Sequence, residues 1–169
     1  MSIPEGTHSI GPSNGSLKVK TGREGAAAKA GHDLVLEVTS WDATVEGGDN
    51  PSIKLTCDPG SMEVVSGTGG AKALTDKDKD DIKKSINGKV LGSSQITFQS
   101  SAVTDSSAKG DLSIAGSNSV VNVPLNVNGG SISGSITLSQ SDFGIKQFKA
   151  LMGALKVSDE VTVEFEGRL

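Results

Sequence analysis

Hydrophobic and polar residues alternate along most of the chain, and the alternation arrives in short runs separated by Gly, Ser, Asn and Asp. The stretch HDLVLEVTSWDATVE sets Leu34, Leu36 and Val38 on one side and Val35, Glu37, Thr39 and Trp41 on the other. SLKVK, SIKLTCD, SMEVVSG, SQITFQSS, GDLSIAG, SVVNVPLNVNG, SISGSITLSQ and DEVTVEFEGRL follow the same rule. Successive strand side chains point to opposite faces, so strict alternation describes strands with one buried and one wet face. Antiparallel sheets have that character, and many short strands at close spacing predict a sandwich or a barrel.

Two segments break the period. After KALT, Thr75 is placed as an N-cap, Asp76 and Asp78 fall in a first turn, and Gly88 is placed to end the helix. Ile82 and Ile86 give this helix a narrow apolar stripe, which predicts that it lies against the sheet with its charges in water. In the second segment, SDFGIKQFKALMGALKVSDEV, apolar residues recur at helical spacing: Ile145, Phe148, Leu151, Met152 and Leu155. A second helix near 143–155 is expected from that spacing, either as core or as an adaptable lid, since Met fits irregular hydrophobic contacts. Residues 1–15, rich in Gly, Pro, Ser and Asn, read as an irregular arm, and 16–169 as a single domain.

A chain of 169 residues fits one domain and can bury about 70% of its unfolded surface. It carries 16 basic and 20 acidic residues, net −4, which disfavours a nucleic-acid partner. Aromatic residues are 3% of the total with no Tyr, so the buried surface must be chiefly aliphatic. Cys57 is the single cysteine; neither an intrachain disulfide nor a thiolate cluster can be assembled, and its place on an apolar face reads as a small buried hydrophobe. MSIPEGTHSIGPSNGS lacks the basic and apolar regions of a signal peptide, and no run approaches the ~18 apolar residues of a spanning helix. The expectation is a soluble cytoplasmic protein that does not span a membrane.

Motifs for chemistry are weak. DKDKDD puts Asp76, Asp78 and Asp80 at the first three ligand positions of a calcium loop, but Asp81 replaces the turn glycine and Asn87 the bidentate Glu. SGTGGAKALT is Gly-rich, yet Lys72 is followed by Ala73 rather than by Ser or Thr, so it does not form a phosphate loop. His32 starts a strand; Asp33 beside it points to the other face and is badly placed to orient it as a triad acid would. No Gly-x-Ser-x-Gly elbow occurs, and two histidines without Cys partners make a poor zinc site. By parity Trp41 lies opposite the Leu34–Leu36–Val38 face unless a bulge intervenes.

GHDLVLEVTSWDATVE, LTDKDKDDIKKSINGKVL before ITFQS, GDLSIAG and, above all, SDFGIKQFKALMGALKVSDEVTVEFE carry a likeness that spans ~16–169 in order. In these stretches the chain resembles the YceI-like polyisoprenoid-binding family. The resemblance implies an all-β fold with short helices, an eight-stranded antiparallel lipocalin-like barrel around an elongated apolar pocket. It implies a long-chain ligand (polyisoprenoid, isoprenoid quinone or fatty-acid-like lipid), no reaction, no cofactor beyond such a lipid, and homodimers as a common state. Carried onto this sequence, Leu34, Leu36, Val38, Phe98, Leu112, Ile114, Val123, Leu125, Ile136, Leu138, Val163 and Phe165 would line the pocket. Phe143, Ile145, Phe148, Met152 and Leu155 would stand near one mouth, and His32 where the family often carries a histidine. Gly134 and Ala115, on or beside inward faces, are small enough to leave room. The competing reading is a barrel packed solid that acts through its outer surface or a dimer interface; an enzyme using His32 ranks last.

Overall fold

The computed structural model describes residues 2–70, 72–92 and 94–169, without the side chains of Lys89, Ala150 and Leu151. Its strands in chain order are β1 (Gly6–Ile10), β2 (Gly15–Glu24), β3 (Asp33–Val38), β4 (Trp41–Gly47), β5 (Ser52–Cys57) and β6 (Met62–Thr68). After the helix α1 (Asp76–Ser85) come β7 (Ile96–Val103), β8 (Ser107–Ile114), β9 (Ser117–Asn128), β10 (Ser131–Ser139), β11 (Lys149–Ala150) and β12 (Leu155–Arg168). Eleven of them form one antiparallel path, β1-β4-β5-β7-β8-β9-β10-β12-β2-β3-β6, and the two-residue β11 pairs with the start of β12.

The sheet curls strongly on itself into a half-barrel of eleven strands, which corrects the expected eight-stranded barrel. The sequence shows nine alternating runs, and two further features bring the path to eleven strands. Gly6–Ile10 was expected to be irregular, yet it pairs residue by residue with β4, and Ile3 and Ile10 are buried. The single run from Asp33 to Gly47 is two strands, because Thr39 and Ser40 turn a corner. There the Thr39 amide donates to the Ser61 carbonyl at 3.0 Å, and the Asp58 amide to the Ser40 carbonyl at 3.0 Å. The corner also resets the parity of Trp41, which packs edge-on against Phe165, ring centres 5.8 Å apart, in the same core as Leu36 and Val38.

Helix α1 begins where the sequence places it. Thr75 Oγ1 accepts from the Asp78 amide at 3.1 Å, and the Asp78 carboxylate accepts from the Thr75 amide at 2.9 Å, a reciprocal box that satisfies two orphan donors. These bonds hold the Asp78 carboxyl below its usual range. Asp78 thus serves the cap. Gly88 does not end the helix, which continues into a π turn over Ile86–Val90.

The expected helix near 143–155 is absent. A short 3-10 turn spans Gln140–Phe143, Gly144 leaves it in the left-handed conformation at φ 69°, and the chain then runs extended into β11. A second 3-10 turn, Leu151–Gly153, leads directly to β12. Glycines inside a helix cost about 1 kcal/mol each, and this segment holds two. The sheet edge offers better partners: the Val157 amide donates to the Phe148 carbonyl at 3.0 Å, and Lys149 and Ala150 pair with Lys156 and Leu155. Tertiary pairing overrides the helical spacing. The side chain of Leu151, one of the residues in that spacing, lies outside the described set.

Candidate ligand-binding cavity

The inward residues of nine strands converge on one cavity of about 420 Å³. β2 supplies Leu17, Val19 and Thr21; β3 Leu34, Leu36 and Val38; β5 Ile53, Leu55 and Cys57. β9 adds Val121, Val123 and Leu125, β10 Gly134, Ile136 and Leu138, and β12 Val157, Val161, Val163 and Phe165. Apart from Val157, which lies beyond a register shift in β12, each set is spaced by two along its strand, so strand pleating turns it inward. Met62 of β6, Ile96 and Phe98 of β7, and Ala108, Leu112 and Ile114 of β8 complete the wall.

Two caps close the mouth. Ile82, Asp81 and Ser85 of α1, with Ile86, Val90 and Leu91 after it, reach in from one side. Gln140, Ile145 and Phe148 reach in from the other. The second cap is anchored by a bulge in β12, where the register shifts between Val157 and Val161. In that bulge Asp159 accepts from the Ser141 amide at 2.9 Å and from the Ser141 hydroxyl at 2.6 Å, while Gln140 Nε2 donates to the Ser158 carbonyl at 3.1 Å. The first cap is tied by the Lys83–Glu63 ion pair to β6, and none of the helical residues of α1 is fully buried.

Thr21, Asp81, Ser85 and Gln140 contribute the polar side chains of the described lining, beside the Cys57 thiol. Thr21 Oγ1 accepts from the Leu34 amide at 3.3 Å, and Asp81 pairs with Lys77 at 3.0 Å, an exposed helix pair. Burial, with the Asp58 charge adding to it, pushes the Cys57 thiol up to about 12. It is therefore a neutral, weakly reactive wall residue at ordinary pH. The cavity is a place for hydrocarbon.

Of the residues expected near the pocket, Leu34, Leu36, Val38, Phe98, Leu112, Ile114, Val123, Leu125, Ile136, Leu138, Ile145, Phe148, Val163 and Phe165 line it. Four do not. Phe143 is buried in a cluster with Leu138 and Ile145 and does not border the cavity itself. Leu155 packs toward Gly31, where any Cβ would sit 2.6 Å from Leu155 Cδ1. Met152 points to solvent, 107% exposed, because its backbone takes the left-handed conformation at φ 57°. His32 lies outside the lining, its Nε2 donating to the Lys72 carbonyl at 2.6 Å, as a loop-tying residue. Gly134 lines the cavity as expected, whereas Ala115 sits in the two-residue turn between β8 and β9 at φ 50°. Alternation in β2 and β5 was visible and would have supplied Leu17, Val19, Ile53 and Leu55; the α1 contribution needed the packing.

A model of the YceI-like domain matches residues 9–169. The chain belongs to the YceI-like family. That family consists of binding proteins, and its fold is one suggestive of polyisoprenoid binding. The crystal structure of Burkholderia cenocepacia BcnA is similar at 18% identity and a TM-score of 0.67, covering 95% of this chain and 99% of that one. The YceI protein of Campylobacter jejuni is similar at 13% identity and a TM-score of 0.51, covering 79% and 82% respectively. At such identities these likenesses speak for the fold. No curated protein matches the sequence. No helix among the described residues is long and apolar enough to cross a membrane.

Proposed function

We propose that this YceI-like chain binds a long-chain hydrophobic ligand, a polyisoprenoid, isoprenoid quinone or fatty-acid-like lipid, within the curled sheet, and carries or sequesters it. The observation that carries this reading is the cavity of about 420 Å³ walled almost wholly by apolar side chains. Ligand sites of drug-sized molecules run from about 300 to 1,000 Å³, and an apolar cavity of roughly 150 Å³ already holds benzene. An empty apolar volume of that size is costly to keep, since wall atoms on one side lack dispersion partners. A hydrocarbon chain supplies them. About ten enclosed methylenes at ~0.8 kcal/mol each give ~8 kcal/mol, a dissociation constant on the order of 1 μM before ordering costs.

Organic-solvent extraction of the purified protein followed by mass spectrometry is expected to release a long-chain amphiphile in stoichiometric amount. Leu112→Trp, which fills the lumen from its wall, should fold and lose that amphiphile. Recovery of equal lipid from this variant, or of none from the unaltered protein after incubation with candidate lipids, rules the reading out.

A further inference from the structure

The turn between β11 and β12 combines three locally unfavourable choices. Met152 is fully exposed to water at the tip. Its backbone adopts φ 57°, a conformation that L residues other than Gly occupy only at a cost, and Gly153 beside it already offers a residue suited to the left-handed region. Lys149 stands directly opposite Lys156 across the β11–β12 pair, where like charges repel. A single exposed apolar side chain is unremarkable on any surface; one held out by strained backbone between facing lysines is not.

The neighbouring surface has the same character. The Ala27 amide donates to the Ala154 carbonyl at 2.7 Å, so the 3-10 turn Ala28–Ala30 lies against the Met152 turn. Ala26, Lys29 and Ala30 of that stretch are exposed. Acidic company is slight. Glu24 sits opposite Lys156 on the β2 side, where its carboxylate accepts from Gln147 Nε2 at 2.5 Å, and Asp33 is paired with Arg23 at 3.6 Å. Helix α1, the other element at this end, balances Asp76, Asp78, Asp80 and Asp81 with Lys77, Lys79, Lys83 and Lys84. Three lysines, small apolar residues and one protruding Met therefore form a cationic, greasy tip on a chain whose net charge is −4.

We propose that this tip, Lys149–Lys156 with the adjoining Ala26–Ala30 stretch, docks on an anionic lipid bilayer. Lysines near a negatively charged leaflet gain from its potential, and an apolar side chain held among them enters the headgroup boundary. Phe148 and Val157, immediately flanking the tip, line the cavity mouth. Docking would set that mouth against the lipid. Exchange of ligand with the membrane rests on the lumen reading given above; the docking itself does not, and vesicle binding and lumen occupancy are measured separately.

The test is co-sedimentation of the full chain with vesicles of phosphatidylcholine alone and of phosphatidylcholine mixed with phosphatidylglycerol. The chain should sediment with the mixed vesicles only, and less as salt is added. Lys149→Gln should lower the vesicle affinity about fivefold. Met152→Gly removes the anchoring side chain while relieving the left-handed backbone, so it should fold at least as well and yet bind vesicles several-fold more weakly. No sedimentation of the unaltered chain, equal sedimentation with both vesicle types, or binding unchanged in either variant overturns the proposal.

Discussion

The two ends of the curled sheet are built from the same alternating strands and differ in what fills them. At one end Ile10, Trp41, Val45, Val127 and Ile132 are buried and interlock; none of them borders the cavity. Their packing depends on close approach: at Gly167 any Cβ would sit 2.5 Å from Ile10 Cγ2. At the other end Ile82, Ile86, Ile145 and Phe148 cover a hollow. There α1 is held by its N-cap and the Lys83–Glu63 pair with none of its helical residues buried, while the Gln140–Phe148 segment is held by the Asp159–Ser141 bonds and by buried Phe143 and Ile145. Inward-facing apolar residues therefore do not by themselves make a core. Whether they meet one another or stand apart around a space depends on the bulk that enters from the flanking segments. Here β1 and Trp41 fill one end, and the two caps leave the other open inside.

That contrast can be broken most directly by truncating one residue at each end. Ile132→Ala, at a position with 0% exposure, should cost about 3 kcal/mol in denaturant unfolding. Leu112→Ala, on the lumen wall, should cost at least ~1 kcal/mol less, because it enlarges a space that already exists. Equal losses would mean that the lumen collapses into a packed core in solution.

A smaller effect sharpens the description of the wall. The folded-state pKa of Cys57 is raised from 9.0 to about 12, so its contribution is fully present below pH 9.0 and is lost as pH rises toward 12. Between those limits the unaltered protein should lose up to about 1.4 kcal/mol of stability per pH unit, and Cys57→Ala should not show that slope. An identical pH profile in the two proteins would place the thiol in contact with water.

The smallest effect concerns the lid-like cap. Thr75→Ala removes the bond that Oγ1 accepts from the Asp78 amide, while the backbone amide of residue 75 can still donate to the Asp78 carboxylate, and should cost ~1 kcal/mol at most in global stability. Amide hydrogen exchange should rise through α1 and leave the strands of the filled end protected. Asp78, whose carboxyl is held low by the same bonds, contributes above the ordinary value of 3.8 and ceases to as pH falls below it, so acid should fray α1 in the same pattern. Uniform exchange throughout the chain would remove the distinction between the two ends.

Much of the cavity wall was legible as a pattern. Leu34, Leu36 and Val38, like Ile136 and Leu138, declare their common face by spacing alone, because a strand's pleat has period two whatever it pairs with. The cap of α1 was equally legible, since Thr75 and Asp78 interact within one turn. Met152, Leu155 and Phe143 were misplaced for one shared reason: a helical spacing of apolar residues says nothing of Gly144 and Gly153 turning left-handed, or of a sheet edge waiting to pair. Trp41 was misplaced by parity because the corner at Thr39 and Ser40 is held by Ser61 and Asp58, which come about twenty residues later in the chain.

By itself the order of residues determined which side chains of each strand face inward, that the buried surface is aliphatic, and where α1 starts, since these are local matters of pleat, composition and capping. Only the tertiary structure decided that eleven strands share one path, that residues 140–157 cap the mouth without forming a helix, and that the interior stays hollow at one end. Those outcomes depend on contacts between segments far apart in the chain, whose geometry no local pattern records.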